Sequence, residues 1–413
     1  MMQTVTIAMV ALGGYGNFYL ARLFAAREAY DFELVAGVDP NPVGCRYLAQ
    51  FESEGIPIYP DLDAFYAAST ADLVIIAAPI QYHRPFTLNA LAHGSNVLCE
   101  KPVAATIQDA LAMAEAEAAS DGFVGIGYQW SFAEAIQNLK QDIMAGELGK
   151  ALRLRTKVLW PRPKSYYARN NWAGLIKSGD GRWVLDSPAN NATAHYLHNC
   201  FYVLGETRET SARPVDVQAE LYRANAIENY DTAAIRCHTA SGAEILFYTA
   251  HPLPEEIGPT LIYEFERAVV DFDGRDGRLV AHFSDGRTKD YGNPFADDAN
   301  KLWEAVEAVR TGAPLACGIE AASSHTRCVN AAQESMPRIT DFPQDLIRHR
   351  EQDEDVLVWV EGLQETLEAC YDEGVLPSES GVGWARSGQR RDLSSGYDEF
   401  PSFTPSEQWG DSV

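Results

Sequence analysis

Short apolar runs alternate with segments of helical spacing through the first third of the chain. Runs typical of strands buried on both faces lie at 5–12, 33–38, 73–77, 97–99 and 123–127. The segments between them have helical spacing, and one carries Pro85 in its first turn and Gly94 at its end. Repeated strand–helix units of this kind predict a parallel, doubly wound sheet.

The pattern changes after residue 150. At 151–160, Leu and Val side chains alternate with Arg and Lys, which predicts a strand with one buried face. Further strand-like runs lie at 215–223, 232–238, 244–249, 261–272 and 279–283. Short glycine turns such as Ser241–Gly242 favour antiparallel pairing of these runs. Amphipathic helices are predicted at 298–310, from Glu320 onward, and at 353–373.

These patterns predict an α/β protein with two domains and a tail. Residues 1–127 are expected to form a Rossmann domain, and residues 128–375 an α+β domain. After Gly374 the composition shifts to Ser, Gly, Pro and charged residues. Residues 376–413 are therefore expected to be extended or poorly ordered, or to wrap around a partner subunit.

A glycine-rich turn follows the first apolar run. Gly13, Gly14, Tyr15 and Gly16 separate it from the first helical segment, and the Gly-x-Gly-x-x-Gly fingerprint is matched with Ala11 in its first position. Such a turn lets the backbone approach a pyrophosphate at a helix N-terminus, so these residues are candidate cofactor ligands.

Asp39 ends the second apolar run, 23 residues after Gly16. An acid at about this spacing, roughly 20 residues, binds the ribose hydroxyls of NAD and repels the 2′-phosphate of NADP. NAD is therefore the expected cofactor, and NADP the less favoured one. The alternative is that Asp39 only caps a turn with Pro40.

Further candidate cofactor residues lie beyond the third and fourth apolar runs. The third ends at Ala78 and Pro79, and His83 in the following loop either packs in the core or contacts the cofactor. The fourth ends at Glu100 and Lys101, where a parallel strand delivers side chains to the ligand-binding edge of the sheet. Taken alone, these two residues are also explained as a solvent-exposed ion pair.

The segment 160–205 carries side chains suited to a polar, ring-shaped ligand. Aromatic rings stack on sugar faces, and Arg and Asn side chains bond hydroxyls. The candidate substrate-binding residues are Arg162, Tyr167, Arg169, Trp172, Asp186, Asn191 and His195. The alternative is a structured loop that packs on the surface or across a subunit interface.

His195 is also a candidate catalytic residue, together with Lys101. Oxidation of an alcohol removes a hydroxyl proton while hydride leaves, so a base must reach that oxygen. His195 and His198 share one helical face, and with Cys200 they raise the alternative of a metal site. No third ligand has convincing spacing, so no metal is expected.

Three motifs together resemble the Gfo/Idh/MocA oxidoreductases, a family that includes glucose-fructose oxidoreductase and inositol dehydrogenase. They are the glycine turn at 13–16, Ala78–Pro79 with His83, and Gly94-x-x-Val97-Leu98-Cys99-Glu100-Lys101-Pro102. The resemblance runs from Val5 to the helix after Glu320. It implies a nicotinamide cofactor, a sugar or polyol substrate, and a second domain built on a large, mostly antiparallel open sheet. It also implies a helix near 320–336 that packs back on the Rossmann domain, and homodimers or homotetramers formed through that sheet.

The resemblance places Lys101 near the nicotinamide and the substrate hydroxyl. The family's second-domain pattern, Asp-x-Gly-x-His-x-x-Asp, aligns its histidine with His195. Asn191, Thr193 and His198 then stand where the family has Asp, Gly and Asp. Either Asn191 orients the substrate without charge, or Asp186 supplies the missing carboxylate.

Composition limits the partners without naming the substrate. With 33 Lys and Arg against 58 Asp and Glu, the net charge of −25 argues against binding to nucleic acid or to anionic membranes. The seven cysteines contain no CxxC pair, and no apolar stretch approaches the ~18 residues that span a bilayer. No basic residue precedes the first apolar run, so a cytoplasmic protein without a secretory signal is expected.

The resulting hypothesis is an NAD(P)-dependent oxidoreductase that transfers hydride between nicotinamide and a sugar, sugar-acid or cyclitol hydroxyl. Lys101 and His195 would form its acid–base pair. One alternative is a redox-neutral sugar epimerase or glycosidase that uses tightly bound NAD+. The other is a non-catalytic NAD-binding sensor.

Overall fold

The computed structural model of the chain describes residues 4–27, 29–352 and 354–402. The elements of its N-terminal domain are β1 (Val5–Val10), α1 (Gly16–Ala25), β2 (Phe32–Val38), α2 (Leu48–Ser53), β3 (Ile58–Tyr59), α3 (Leu62–Ala68), β4 (Leu73–Ile76), α4 (His83–Ala92), β5 (Asn96–Cys99), α5 (Ile107–Ala118) and β6 (Val124–Ile126). The strands form one parallel sheet in the order β3–β2–β1–β4–β5–β6. The order in which strands are added to the sheet reverses between β1 and β4, so this is the topological switch point. This is the doubly wound sheet that the apolar runs predict.

The second domain is built on a larger sheet. Its elements are α6 (Glu134–Met144), β7 (Ala151–Leu159), α7 (Lys164–Ala168), α8 (Ala194–Tyr202), β8 (Pro214–Arg223), β9 (Thr232–Thr239), β10 (Glu244–Ala250), β11 (Ile257–Phe265), β12 (Ala268–Asp273), β13 (Leu279–Phe283), β14 (Thr288–Gly292), α9 (Asn300–Thr311), α10 (Ile319–Ser335), β15 (Thr340–Asp341), β16 (Ile347–Gln352), β17 (Asp355–Val360), α11 (Leu363–Glu373) and β18 (Arg391–Asp392). The sheet order is β14–β13–β12–β11–β7–β10–β9–β8–β15, and β18 also pairs with β8. Most pairs are antiparallel, whereas β7–β10 and β8–β15 are parallel. The α/β fold class with a mostly antiparallel second sheet is confirmed.

Two predicted elements differ from the structure. The run at 261–272 is not one strand but parts of β11 and β12, which pair antiparallel with Leu261 opposite Phe272. The turn between them, at Glu266 and Arg267, contains no glycine or proline and so gave no turn signal.

The helix predicted at 353–373 is wrong in its first half. Residues 355–360 form β17, which pairs with β16, and α11 begins only at Leu363. The run from Val356 to Val360 is rich in β-branched and aromatic side chains, and their strand preference outweighs the helical spacing. Asp353 itself lies outside the described residues.

α10 connects the two domains. Its Asn330 side chain accepts from the backbone N–H of Ile107 at 2.9 Å and donates to the carbonyl of Ala105 at 2.9 Å. These bonds complete the N-terminus of α5, where backbone N–H groups lack helical partners. In the part of the chain that the structure describes, no helix is both long and apolar enough to cross a membrane.

Part of the outer face of the large sheet is covered by the chain's own C-terminal segment. Leu246 and Tyr248 of β10 pack in one apolar cluster with Leu367 and Tyr371 of α11. Arg155 of β7 donates to the carbonyl of Tyr371 at 2.8 Å, at the helix end where a cation is favourable. The alternation of Arg and Lys along β7 therefore marks a face buried under α11, not a solvent face.

The tail packs on its own chain as far as it is described. Arg391 of β18 pairs with Val217 of β8, and Phe400 is almost fully buried. The backbone of Phe400 forms two hydrogen bonds, of 2.6 and 3.0 Å, with the side chain of Gln108 on α5. The tail thus runs from the large sheet to the N-terminal domain. Residues 403–413 lie outside the described residues.

Candidate active site

The glycine turn lies at the carboxyl edge of the parallel sheet, between β1 and α1. Gly14 has φ of 52°, and no atom lies within 4 Å of the position of a Cβ added there, so the backbone is open to a ligand. A Cβ on Gly16 would lie 2.1 Å from the carbonyl oxygen of Ala11, so only glycine lets α1 approach β1 this closely. Gly13 lies against Gly44 of the loop after β2. The turn fits the pyrophosphate of a dinucleotide.

Asp39 faces this turn from the end of β2. One carboxylate oxygen accepts from the N–H of Leu12 at 2.9 Å, and the other accepts from the N–H of Asn41 at 2.8 Å. The carboxylate is only partly buried, and each oxygen keeps a further lone pair. Asp39 therefore braces the turn and still presents an acceptor where a ribose would lie.

Glu100 pairs with a lysine of the second domain and not with Lys101. Lys301 of α9 is fully buried and donates to Glu100 Oε1, and the Tyr19 hydroxyl donates to the same oxygen at 2.6 Å. Burial alone would raise the pKa of Glu100, but the Lys301 charge holds it below its usual value. Lys301 Nζ also lies 3.3 Å from the hydroxyl of Tyr15. Glu100 is thus a buried anion that joins α1, β5 and α9, which excludes the exposed Glu100–Lys101 pair.

Lys101 points to the second domain instead. Its Nζ donates to the carbonyl of Asn191 at 2.6 Å and lies 3.2 Å from Asn191 Oδ1. Among the described residues no carboxylate lies within ion-pair distance of this amine. Burial lowers the pKa of Lys101 to about 8, although Glu100 pulls in the opposite direction. The amine therefore changes charge close to neutral pH.

A buried carboxylate stands behind Asn191. The Asn191 amide donates to Asp186 Oδ1 at 2.7 Å, and the N–H of Gly174 donates to Oδ2 at 2.7 Å. Arg169 lies 3.7 Å from the same carboxylate. Burial raises the pKa of Asp186, and the Arg169 charge opposes that rise. Both residues considered as replacements for the family's first aspartate therefore lie near Lys101. Asn191 contacts the Lys101 amine directly, and Asp186 accepts a hydrogen bond from Asn191.

His195 lies in the first turn of α8, with its ring centre 5.9 Å from that of Tyr128. Its Nδ1 is buried and has no partner among the described residues. Burial and then the charge of nearby Lys101 lower the pKa of His195 well below its ordinary value. The ring is therefore neutral and carries an unpaired nitrogen close to Lys101.

His198 and Cys200 have structural partners rather than metal-ligand geometry. The His198 ring stacks on Tyr128 with centres 3.8 Å apart, and its Nε2 lies 2.9 Å from the Ser131 hydroxyl. Cys200 Sγ lies 3.4 Å from the hydroxyl of Thr156. Within the described ranges, no group of three or more His, Cys, Asp and Glu side chains could hold a metal ion.

His83 bridges two strand ends. Its Nδ1 lies 2.8 Å from the carbonyl of Pro102, and its Nε2 lies 2.9 Å from the carbonyl of Ala78, which precedes Pro79. The side chain is 1% exposed, and burial lowers its pKa. This placement favours the packing alternative: His83 fixes the turn after Lys101 against the end of β4.

Side chains of the segment 162–172 gather beside Asp186. The Arg169 guanidinium lies 3.7 Å from the ring centre of Tyr166 and 5.4 Å from that of Trp172. Arg162 approaches the same Tyr166 ring at 5.2 Å. The buried hydroxyl of Tyr167 has no partner among the described residues. The segment therefore carries one unsatisfied hydroxyl and several aromatic faces, and Arg169 joins it to Asp186.

Three residues of this region were missed by the sequence analysis. Lys301 lies on the amphipathic helix α9. The one hint in the sequence is its position four residues before Ala305, which places the lysine on the buried face of that helix. His251, just after β10, is buried beside Tyr166 with ring centres 5.6 Å apart, and burial lowers its pKa to about 3. His325 of α10 lies with Nε2 2.9 Å from the carbonyl of Ala189, just before Asn191. Each acts across a long sequence separation, which spacing rules do not detect.

Comparison with known proteins gives a match to the N-terminal domain. The model of the Gfo/Idh/MocA family, described as an oxidoreductase family with an NAD-binding Rossmann fold, matches residues 5–128. The inositol 2-dehydrogenase of Burkholderia lata is 31% identical over 205 residues, which are 49% of this chain and 56% of that enzyme. The match thus spans just over half the length of that relative.

Solved structures extend the similarity of fold to both domains. The WlbA dehydrogenase of Chromobacterium violaceum, in complex with NADH and UDP-GlcNAcA, matches with a TM-score of 0.68 at 20% identity and covers 81% of this chain and 94% of its own. Levoglucosan dehydrogenase, in complex with NADH and levoglucosan, matches with a TM-score of 0.67 at 16% identity and covers 81% of this chain and 98% of its own. The family match therefore places residues 5–128 in the NAD-binding domain of the Gfo/Idh/MocA oxidoreductases, and the solved structures show that the fold of the rest of the chain is shared as well.

Proposed function

We propose that the protein is an NAD-dependent dehydrogenase that acts on a CH–OH group of a sugar, sugar acid or cyclitol. The observation that carries the proposal is Lys101, a half-buried lysine at the cofactor edge of the parallel sheet whose amine bonds to Asn191 of the second domain and has a pKa of about 8. A proton acceptor there suits alcohol oxidation. The names of the relatives, inositol 2-dehydrogenase and levoglucosan dehydrogenase, support a polyhydroxylated substrate.

In the oxidation direction, the substrate O–H bond breaks and its proton passes to Lys101 Nζ. The C–H bond at the same carbon breaks, and its hydride, with both bonding electrons, leaves the substrate as the carbonyl forms. Bound NAD+ supplies the acceptor for that hydride. Lys101 must be neutral to take the proton, and its lowered pKa provides this form near pH 8.

His195 would act as the partner of Lys101. Because the ring is neutral, its unpaired nitrogen can accept a hydrogen bond from a substrate hydroxyl and orient it toward the amine. Asn191 and Asp186 would be positioning residues, because their bonds keep the Lys101 amine in one place. An amide in contact with Lys101, in place of the family's carboxylate, avoids a direct charge that would raise the lysine pKa.

Asp39 supports NAD over NADP in this proposal. Its carboxylate lies beside the turn where the adenosine ribose would bind, and a 2′-phosphate there would meet a negative charge. The Asp39→Asn variant should therefore bind NAD more weakly, and its affinities for NAD and NADP should differ less than those of the wild-type protein.

The test is the rate of NADH formation by the purified protein with a panel of sugars, sugar acids and cyclitols, combined with mass analysis of retained cofactor. Lys101→Met should lower turnover by at least about 100-fold, whereas Lys150→Met, at an exposed position just before β7, should leave it unchanged. Absence of turnover with every substrate, although NAD binds, would refute the dehydrogenase. Retained NAD+ without net reduction would favour the redox-neutral alternative.

A homodimer or homotetramer formed through the large sheet stays part of the proposal, as does a cytoplasmic location. Since α11 and its apolar cluster cover the sheet face over β7, β10 and part of β11, the surface left for a second copy is the outer face of β12 to β14, where Val269 is 39% exposed. Light scattering of the wild-type protein and of Val269→Glu tests this surface. An oligomer that Val269→Glu leaves intact would argue against it.

A further inference from the structure

Arg162 lies just beyond β7 with its guanidinium between two aromatic rings. Its Cζ lies 5.6 Å from the ring centre of Trp160 and 5.2 Å from that of Tyr166. One nitrogen donates to the carbonyl of Pro161 at 3.1 Å. Among the described residues no carboxylate lies within ion-pair distance of this guanidinium. Arg162 is therefore a half-buried cation that lacks a counter-charge.

Two neighbouring arginines show that this is not a general property of the region. Arg275 approaches the same Trp160 ring at 5.2 Å, but it pairs with Glu256 at 3.9 Å. Arg169 shares the Tyr166 ring with Arg162, but it faces Asp186 at 3.7 Å. In a chain with 58 acidic and 33 basic residues, carboxylates are in excess. The lack of one beside Arg162 therefore marks a place for an external anion.

Arg162 leaves an uncompensated positive charge on the substrate side. Arg169, by contrast, lies 3.7 Å from Asp186, whose carboxylate also accepts hydrogen bonds from Gly174 and Asn191. A neutral polyol would leave the Arg162 charge without a partner. A carboxylate matches the planar fork of an arginine and can accept two parallel hydrogen bonds from it.

We infer that the substrate carries a carboxylate that binds to Arg162, which makes a sugar acid the substrate class. This inference rests on the proposed dehydrogenase function. The carboxylate accepts hydrogen bonds from the free edge of the guanidinium, whose faces lie toward Trp160 and Tyr166, while the reacting hydroxyl lies at Lys101. Arg162 thus selects the substrate and takes no part in the proton transfer.

Binding tests the inference without requiring turnover. Calorimetry on the NAD-loaded protein should measure D-glucuronate, D-galacturonate and D-gluconate beside their amides and the parent neutral sugars. We expect at least one acid to bind about 10- to 100-fold more tightly than its amide, the usual effect of a hydrogen bond to a charged group. The affinity for glucose 6-phosphate, measured in the same way, tests whether the anion that binds to Arg162 is a phosphate rather than a carboxylate.

Two variants of Arg162 and one control variant separate the effect of its charge from effects of substitution on folding and packing. Arg162→Gln should reduce the acid-to-amide affinity ratio to about 1 to 3, and Arg162→Lys should restore part of it, because the charge returns without the fork. Arg275→Gln removes a guanidinium from the other contact with Trp160 and should leave the ratio unchanged. Thermal melts of the three variants check that each is folded.

Equal binding of acids and amides by the wild-type protein would overturn the inference, as would stronger binding of the phosphate. A ratio that Arg162→Gln leaves unchanged would also overturn it. Failure of the dehydrogenase proposal looks different: acids bind with the expected preference, but no NADH forms. Turnover of neutral sugars alone would support the dehydrogenase and refute the sugar acid.

Discussion

The two sides of the candidate site are built in opposite ways. The cofactor side consists of short loops that directly follow parallel strands, and its residue types are set by backbone geometry, as at Gly16. The substrate side consists of side chains from α8, the 160–172 segment and the end of β10, held by bonds between residues far apart in sequence. Lys101 and Asn191 meet across a separation of 90 residues. Changes on the cofactor side should therefore act on cofactor binding and folding, and changes on the substrate side should act on substrate binding and chemistry.

The largest effect is expected where the two sides meet, at Lys101. Lys101→Met should lower kcat by about 10²- to 10⁴-fold, the usual contribution of a positioned acid or base. The affinity for NAD should change little, because Lys101 bonds to Asn191 rather than to the glycine turn. Steady-state kinetics and fluorescence titration with NADH measure the two quantities. A large loss of NADH affinity would place Lys101 on the cofactor side instead.

The next prediction concerns the buried ion pair that joins the two domains, Glu100 and Lys301. Lys301→Met leaves the Glu100 carboxylate buried without its counter-charge and should lower the free energy of unfolding by about 3–5 kcal/mol. The double variant Glu100→Gln with Lys301→Met removes both charges and should recover much of that loss. Urea denaturation of the three proteins gives the values. Equal stability of the single and double variants would mean that the pair is not coupled.

The pH profile of oxidation should depend on the substrate side. Because Lys101 must be neutral, kcat/KM should rise with pH and level off above the pKa of about 8. The Asp186 charge raises this pKa and the Arg169 charge lowers it. Asp186→Asn should therefore move the rise to lower pH, and Arg169→Gln should move it to higher pH.

These two variants form a matched pair, because both alter the same ion pair while their shifts have opposite signs. The midpoint of the kcat/KM profile is the readout, since either change can also weaken substrate binding. Shifts in the same direction would show that a group other than Lys101 controls the profile.

The same contrast explains what the sequence could predict. The parallel sheet, the glycine turn and Asp39 follow rules that act within about 30 residues of βαβ chain, so apolar runs and spacing were enough. Lys101 and His195 were identified largely through the family resemblance. Lys301, His251 and the series from Asp186 to Asn191 depend on how the second domain docks, and residue spacing carries no signal for that.

Errors in the predicted fold have a related cause. The 353–373 segment has apolar residues at helical spacing, but β17 also pairs with β16 and contributes Val360 to the cluster under α11. The segment has both helical spacing and a run of strand-forming side chains, and the pairing of β17 with β16 determines which of the two patterns forms. The Glu266–Arg267 turn was missed for the same reason, since only the pairing of β11 with β12 defines it.

The smallest predicted effect tests the cofactor side alone. Ala11 stands at the first position of the glycine fingerprint with φ of 65°, a left-handed conformation that costs an L-residue about 1–2 kcal/mol. Glycine removes that cost but adds freedom to the unfolded chain, so Ala11→Gly should raise the free energy of unfolding by up to about 1 kcal/mol. Ala112→Gly, at a partly exposed position inside α5, is the control and should lower it by about 1 kcal/mol. Urea denaturation measures both, and a loss of stability in Ala11→Gly would show that the Ala11 methyl contributes more through packing than its backbone conformation costs.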